Sequence, residues 1–143
     1  LSKLRSMSVR EAWLVIQATV LLLSVSILLS LVGFSRTRRS CARVPSRLSI
    51  GDESAGPPSA MIARAVETGG SRLPIQPSCL AKAMTADALL DRHGYRSTLR
   101  IGVRGSNDSG IEGHAWVVHD GSVITGDIEG IDRYRPFESL GGL

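Results

Sequence analysis

The 143-residue sequence is poor in aromatic side chains, with two each of Trp, Tyr and Phe, and holds two cysteines, Cys41 and Cys79. Two cysteines cannot staple a fold of this length, and nothing about them demands an oxidising compartment. There is no internal repeat and no low-complexity tract. The composition also excludes a collagen repeat and a disordered acidic tail. The 17 Lys+Arg exceed the 13 Asp+Glu by only four, and no basic run is interleaved with aromatics. Nucleic acid is therefore not an expected partner. The three histidines, His93, His114 and His119, combine with the cysteines in no zinc-like spacing, so no metal and no cofactor is expected.

One further absence is local. No charged side chain occurs from Ala12 to Phe34, a run long enough to cross a bilayer. Three readings compete. A signal sequence is the weakest, because FSRTRRS follows the run where a small-x-small cleavage site would stand. Hydropathy alone favours a membrane span. A core or docking helix is the alternative, suited by Gln17, Thr19, Ser24, Ser26 and Ser30 within the run. Lys3, Arg5 and Arg10 precede it and Arg36, Arg38 and Arg39 follow, so the basic flanks specify no orientation. The expected location is cytoplasmic, with membrane association through Ala12–Phe34 as an open alternative. The sequence starts with Leu, which suggests a fragment or an unusual start codon, with Met7 as another start.

Residues 1–35 thus form an apolar helical segment, residues 36–58 a polar linker, and residues 59–143 a folded domain. In that domain Ser59 is expected to cap a short helix. Met61, Ile62, Ala65 and Val66 form its apolar stripe, and Gly69-Gly70 is expected to end it. SRLPIQP follows as a turn-rich loop.

Ser78 then precedes CLAKAMTADALLDRHG, a second helix with Ser78 as N-cap and Gly94 as its stop. Cys79 falls in the first turn, where unpaired N–H groups and the helix dipole favour an anion. A thiolate is the nucleophilic form, so the position suits catalysis. A small apolar cysteine packed beneath the helix is the competing reading, and the commoner one for a cysteine taken alone.

The period then changes to two. Thr98–Val103 alternates, with Leu99, Ile101 and Val103 inward, and HAWVVHDGSVITGD reads as a hairpin turning at Asp120-Gly121. An uninterrupted register from that turn sets Val118 opposite Val123, Trp116 opposite Thr125 and His114 opposite Asp127. Opposed residues share a face, which places an imidazole beside a carboxylate. A carboxylate at one ring nitrogen fixes the tautomer and leaves the other nitrogen to take a proton. With Cys79 packed on that face, the set becomes an activated thiol nucleophile. A buried His–Asp pair that merely holds the hairpin remains the alternative.

The runs CLAKAMTADALLDRHGYRSTLRIGV, GHAWVVHDGSVITGD and YRPFESL closely resemble the lasso-peptide biosynthesis leader peptidases, the microcin-processing proteins with a transglutaminase-like cysteine protease domain. The resemblance covers about Ala60 to Leu140. It implies an α+β fold of the transglutaminase/papain type, with a nucleophile-bearing helix packed on a small antiparallel sheet and an apolar helix ahead of it. It implies removal of the leader from a ribosomally made lasso precursor peptide, with Cys79 as nucleophile, His114 as general base and Asp127 as acidic member. Asp120 and Asp132 are the neighbouring alternatives to Asp127. Val118 stands where family members often carry Glu, and Glu112-Gly113 precedes the histidine where an apolar residue and Ala are usual.

The short stretch ahead of Ala12 points to the standalone form, which needs a separate leader-recognition protein and works beside a macrolactam cyclase. Cys79 N–H and the Gln76 side chain are candidate oxyanion donors. Cys41 is expected to be a bystander, although a disulfide with Cys79 stays open. His93 suits the helix C-terminus, and His119 is expected to point away from His114 into solvent. Trp116 is expected in the core, with Tyr134, Pro136 and Phe137 covering the sheet edge or lying near the substrate groove. A non-catalytic binding module and an acyl transferase are the competing functions.

Overall fold

The computed structural model describes residues 8–33, 36, 57–106, 110–126 and 129–136. Cys41, Asp127, Phe137 and nearly all of the expected linker lie outside the described residues. Helix α1 spans Val9–Val32. It opens on a capping box: Ser8 Oγ accepts from Glu11 N–H, and the Glu11 carboxylate accepts from Ser8 N–H at 2.8 Å. Helix α2 spans Ser59–Arg72 and α3 spans Cys79–Arg92. Strands β1 (Thr98–Gly105), β2 (Ile111–His119), β3 (Ser122–Thr125) and the two-residue β4 (Arg135–Pro136) form one antiparallel sheet in the order β3-β2-β1-β4. The fold is α+β, with the apolar helix first.

The three helices pack on one another, and α3 lies on the sheet. Leu14, Val15 and Ala18 of α1, Ile62, Ala65 and Val66 of α2, Ala83, Ala86, Leu89 and Leu90 of α3, and Ala115 and Val117 of β2 form one buried cluster. Leu22 and Val25 of α1 add a second cluster with Ala81 and Met84. One face of α1 is thus a core face.

Two expectations about α2 are corrected. Ser59 is its first helical residue, and Pro58 holds the cap position without a side-chain cap bond. Gly69 and Gly70 do not end the helix, which continues to Arg72. Both glycines are buried where α1 passes. A Cβ on Gly69 would stand 2.6 Å from Thr19 Oγ1 and 3.3 Å from the Thr19 N and Cα. Close helix approach, and not termination, is what they supply.

The ends of α3 match expectation. Ser78 Oγ accepts from Ala81 N–H at 3.1 Å. At the other end Gly94 has φ +83°. There Tyr95 N–H donates to the Leu90 carbonyl and Gly94 N–H to the Asp91 carbonyl, which is the Schellman pattern.

The β2–β3 turn is also as expected. Asp120 (φ 48°) and Gly121 (φ 75°) are both left-handed, as a type I′ turn requires. The register holds for His119↔Ser122 and Val118↔Val123, then shifts: Val117, not Trp116, faces Thr125. A β-bulge at Ile124 inserts one extra residue in β3. The uninterrupted pairing that set His114 opposite Asp127 therefore stops at this bulge.

Candidate active site

Cys79 is the first residue of α3, and its side chain is exposed. The Ser78 cap takes one of the free N–H groups of the first turn. Beside it runs an open groove of about 460 Å³ between the last turns of α1 (Ile27, Leu29, Leu31) and the Ile75–Ser78 segment. Gln76 lines this groove, directly ahead of the helix that carries Cys79.

His114 sits on β2 opposite Gly102 of β1. Side chains alternate along a strand, and Ala115 and Val117 point into the helical core. His114 and Trp116 consequently share the other face of the sheet, their rings stacked with centroids 6.0 Å apart. Tyr134 closes over them, 5.5 Å from the His114 ring and 6.5 Å from Trp116. Trp116 and Tyr134 are both buried, so the expectation of a core Trp116 is met on the face away from α3. Pro136 pairs with Gly102 and covers the free edge of β1.

The His114 orienter among the described residues is a backbone group. Its Nε2–H donates to the Gly126 carbonyl at 2.6 Å. A carbonyl can only accept, so Nε2 carries the proton and Nδ1 is the basic nitrogen of the neutral ring. Gly126 has φ +84°, and a Cβ there would meet the Ala115 carbonyl oxygen at 2.6 Å and Trp116 Cα and Cβ at 3.0 Å. Only glycine fits. Sequence reasoning missed it, although a glycine closing the hairpin's second strand beside Asp127 was a usable signal.

No hydrogen bond joins Cys79 to His114 among the described residues. What the structure brings together is His114, Trp116, Tyr134 and Gly126, with Arg104 at the margin. The Arg104 guanidinium lies 4.8 Å from the Tyr134 ring centroid and donates from Nε to Glu112 at 2.6 Å. That bond holds the arginine above its ordinary pKa. His119 is corrected in one respect. It does face away from His114, but its side chain is only 13% exposed. Its Nδ1–H donates to the Arg96 carbonyl at 2.6 Å, and Tyr95 stands edge-on to its ring.

A family model described as the transglutaminase-like superfamily matches residues 19–139. The chain belongs to that superfamily. The match takes in α1 from Thr19, all of α2 and α3, and the whole sheet, and it contains both Cys79 and His114. The superfamily includes cysteine peptidases and transglutaminases, both of which work through a cysteine thiolate. No curated protein and no solved structure matches the chain.

Proposed function

We propose that this transglutaminase-like domain is a cysteine peptidase that removes the leader from a ribosomally made lasso precursor peptide. The observation that carries the peptidase reading is an exposed Cys79 at the capped start of α3, within a transglutaminase-like match over residues 19–139. The lasso substrate rests on the ordered resemblance of the CLAKAM, LRIGV, HAWV and YRPF segments to the leader peptidases.

In this reading His114 Nδ1 takes the Cys79 thiol proton, and the thiolate attacks the carbonyl at the end of the leader. The oxyanion is held by Cys79 N–H and the Gln76 amide. The tetrahedral species collapses to a thioester as the C–N bond breaks, and His114 returns its proton to the departing amine. Water, deprotonated by His114, then cleaves the thioester and frees the thiol. Nε2–H stays on the Gly126 carbonyl throughout, so the ring keeps its orientation. Asp127 is the proposed source of negative charge for the imidazolium. The partners are the precursor peptide, a separate leader-recognition protein and the macrolactam cyclase that uses the freed amine. The location proposed is cytoplasmic, with the domain boundary of the catalytic part at residue 59.

One observation favours a second reading. The described His114 contacts are to Trp116, Tyr134 and Gly126, on the sheet face turned away from the α3 core. That arrangement suits a non-catalytic module that hands the precursor to a cyclase. The test follows peptide mass over time with a lasso precursor and its leader-recognition protein, comparing wild type with Cys79→Ala. Cleavage by wild type alone supports the peptidase. Cleavage by both removes Cys79 from the mechanism, and cleavage by neither favours the module. A product carrying an added amine in place of water reports acyl transfer.

A further inference from the structure

Helix α1 is apolar on two opposite faces, and the fold uses one of them. Leu14, Val15, Ala18, Leu22 and Val25 are buried against α2 and α3. Val9, Trp13, Ile16, Val20, Leu23, Ile27 and Leu31 form the other face, at successive spacings of three and four residues, and all are exposed. Exposure reaches 61% at Trp13 and Val20 and 77% at Leu31. A continuous apolar stripe over six helical turns, about 33 Å long, marks a surface that is covered in use.

The chemistry of that cover is legible. A helix that docks a water-soluble protein partner frames its apolar seam with charged side chains. Here no charged residue occurs from Ala12 to Phe34. The hydroxyls that border the stripe are turned inward. Ser24 Oγ donates to the Val20 carbonyl at 2.8 Å and Ser30 Oγ to the Ser26 carbonyl at 3.0 Å, although both residues are exposed. Polar groups satisfied within the helix suit a surrounding that offers no hydrogen bonds. Charge returns at the two ends, and apart from Glu11, whose carboxylate accepts from Ser8 N–H in the capping box, it is basic: Arg10 is exposed at the first turn and Arg36 is exposed beyond the last. Lys3 and Arg5 precede, and Arg38 and Arg39 follow, in sequence. Cations at the ends of an apolar stripe match the negative headgroups of a membrane surface.

We propose that the outer face of α1 docks this domain on an anionic lipid bilayer, with the helix lying in the plane of the interface. Its length and hydropathy would allow it to cross a membrane. Crossing would strip Leu14, Val15, Ala18, Leu22 and Val25 from α2 and α3 and open the core. Lying flat, α1 keeps those contacts and buries the second stripe. The folded domain takes the place that a charged face holds in an ordinary interfacial helix.

The test uses the full chain with vesicles of phosphatidylcholine alone and of phosphatidylcholine with phosphatidylglycerol. Wild type is expected to sediment with the anionic vesicles, and Leu23→Glu/Ile27→Glu to lose at least tenfold in vesicle affinity with an unchanged far-UV spectrum. Fluorescence of Trp13, isolated by subtracting a Trp13→Phe variant, should be quenched by lipids brominated near the headgroup more than by lipids brominated at the chain end. Wild type remaining in the supernatant, or sedimentation that survives the double substitution, would overturn docking through this face. Stronger quenching at the chain end would overturn the in-plane orientation. A wild-type oligomer that the double substitution converts to monomer, without vesicle binding, would make the stripe a protein interface and overturn the lipid assignment. None of these readouts depends on peptidase activity.

Discussion

Gly69→Ala sets two effects of opposite sign against each other. In an exposed helix interior, replacing glycine by alanine stabilises by about 0.5–1 kcal/mol, because the unfolded chain loses freedom. At Gly69 the new methyl would stand 2.6 Å from Thr19 Oγ1, nearly 1 Å inside ordinary contact. Thr19 cannot simply swing aside: its Oγ1 donates to the Val15 carbonyl at 2.7 Å, and its N and Cα lie 3.3 Å from the same point. Relief therefore needs α1 to shift, and overpacking of this kind costs about 1–3 kcal/mol. The steric effect outweighs the gain over nearly all of that range, leaving a net loss of up to about 2.5 kcal/mol. Thr19→Ala removes the 2.6 Å contact and keeps the 3.3 Å ones, so the double variant should recover about half of that loss as a coupling energy. Urea denaturation followed by far-UV circular dichroism measures both, with the slope expected to stay constant. A Gly69→Ala protein more stable than wild type would refute the reasoning, because it would mean that α1 does not rest on α2 at Thr19.

Two other substitutions probe the site. Gly126→Ala combines a left-handed backbone with a Cβ 2.6 Å from the Ala115 carbonyl oxygen. It should cost about 2–4 kcal/mol in the same urea titration and abolish the Nε2–H signal of neutral His114 in long-range ¹⁵N–¹H spectra. Ser78→Ala removes the acceptor for Ala81 N–H at the start of α3. It should lower stability by about 1 kcal/mol, with thermal melts as the check.

What the sequence made legible follows from which interactions are local. The Asp120-Gly121 turn and the Ser78 and Gly94 ends of α3 were readable because each depends on backbone conformation or a hydrogen bond within a few residues. The bulge at Ile124 was not, because an uninterrupted strand and a bulged one share the same alternation of SVIT until packing chooses. Gly69-Gly70 misled for a related reason. Glycine pairs serve helix ends and close helix approaches alike, and only the presence of Thr19 and Leu22 across the gap separates the two. Alternation placed His119 on the correct face, but its burial depends on Tyr95 and Arg96 folding over it. For α1 the composition announced an apolar helix, while the choice of Leu14, Val15, Ala18, Leu22 and Val25 as the core face required α2 and α3.

The Gly126 carbonyl changes what is asked of an acidic residue near His114. In a Cys–His–Asp arrangement the carboxylate does two things: it fixes the ring, and it compensates the positive charge that develops when the ring takes a proton. A backbone carbonyl at 2.6 Å does the first on its own, since it holds the proton on Nε2 and leaves Nδ1 basic. It supplies only a dipole toward the second. Orientation and charge compensation are therefore separable here, and a carboxylate would be needed for charge alone. The tolerance of the site follows from this division. Loss of the carbonyl's position, as in Gly126→Ala, disturbs which nitrogen is basic and should affect every step that the proposed mechanism routes through His114. Loss of a carboxylate leaves the tautomer intact and weakens only the states in which His114 is charged.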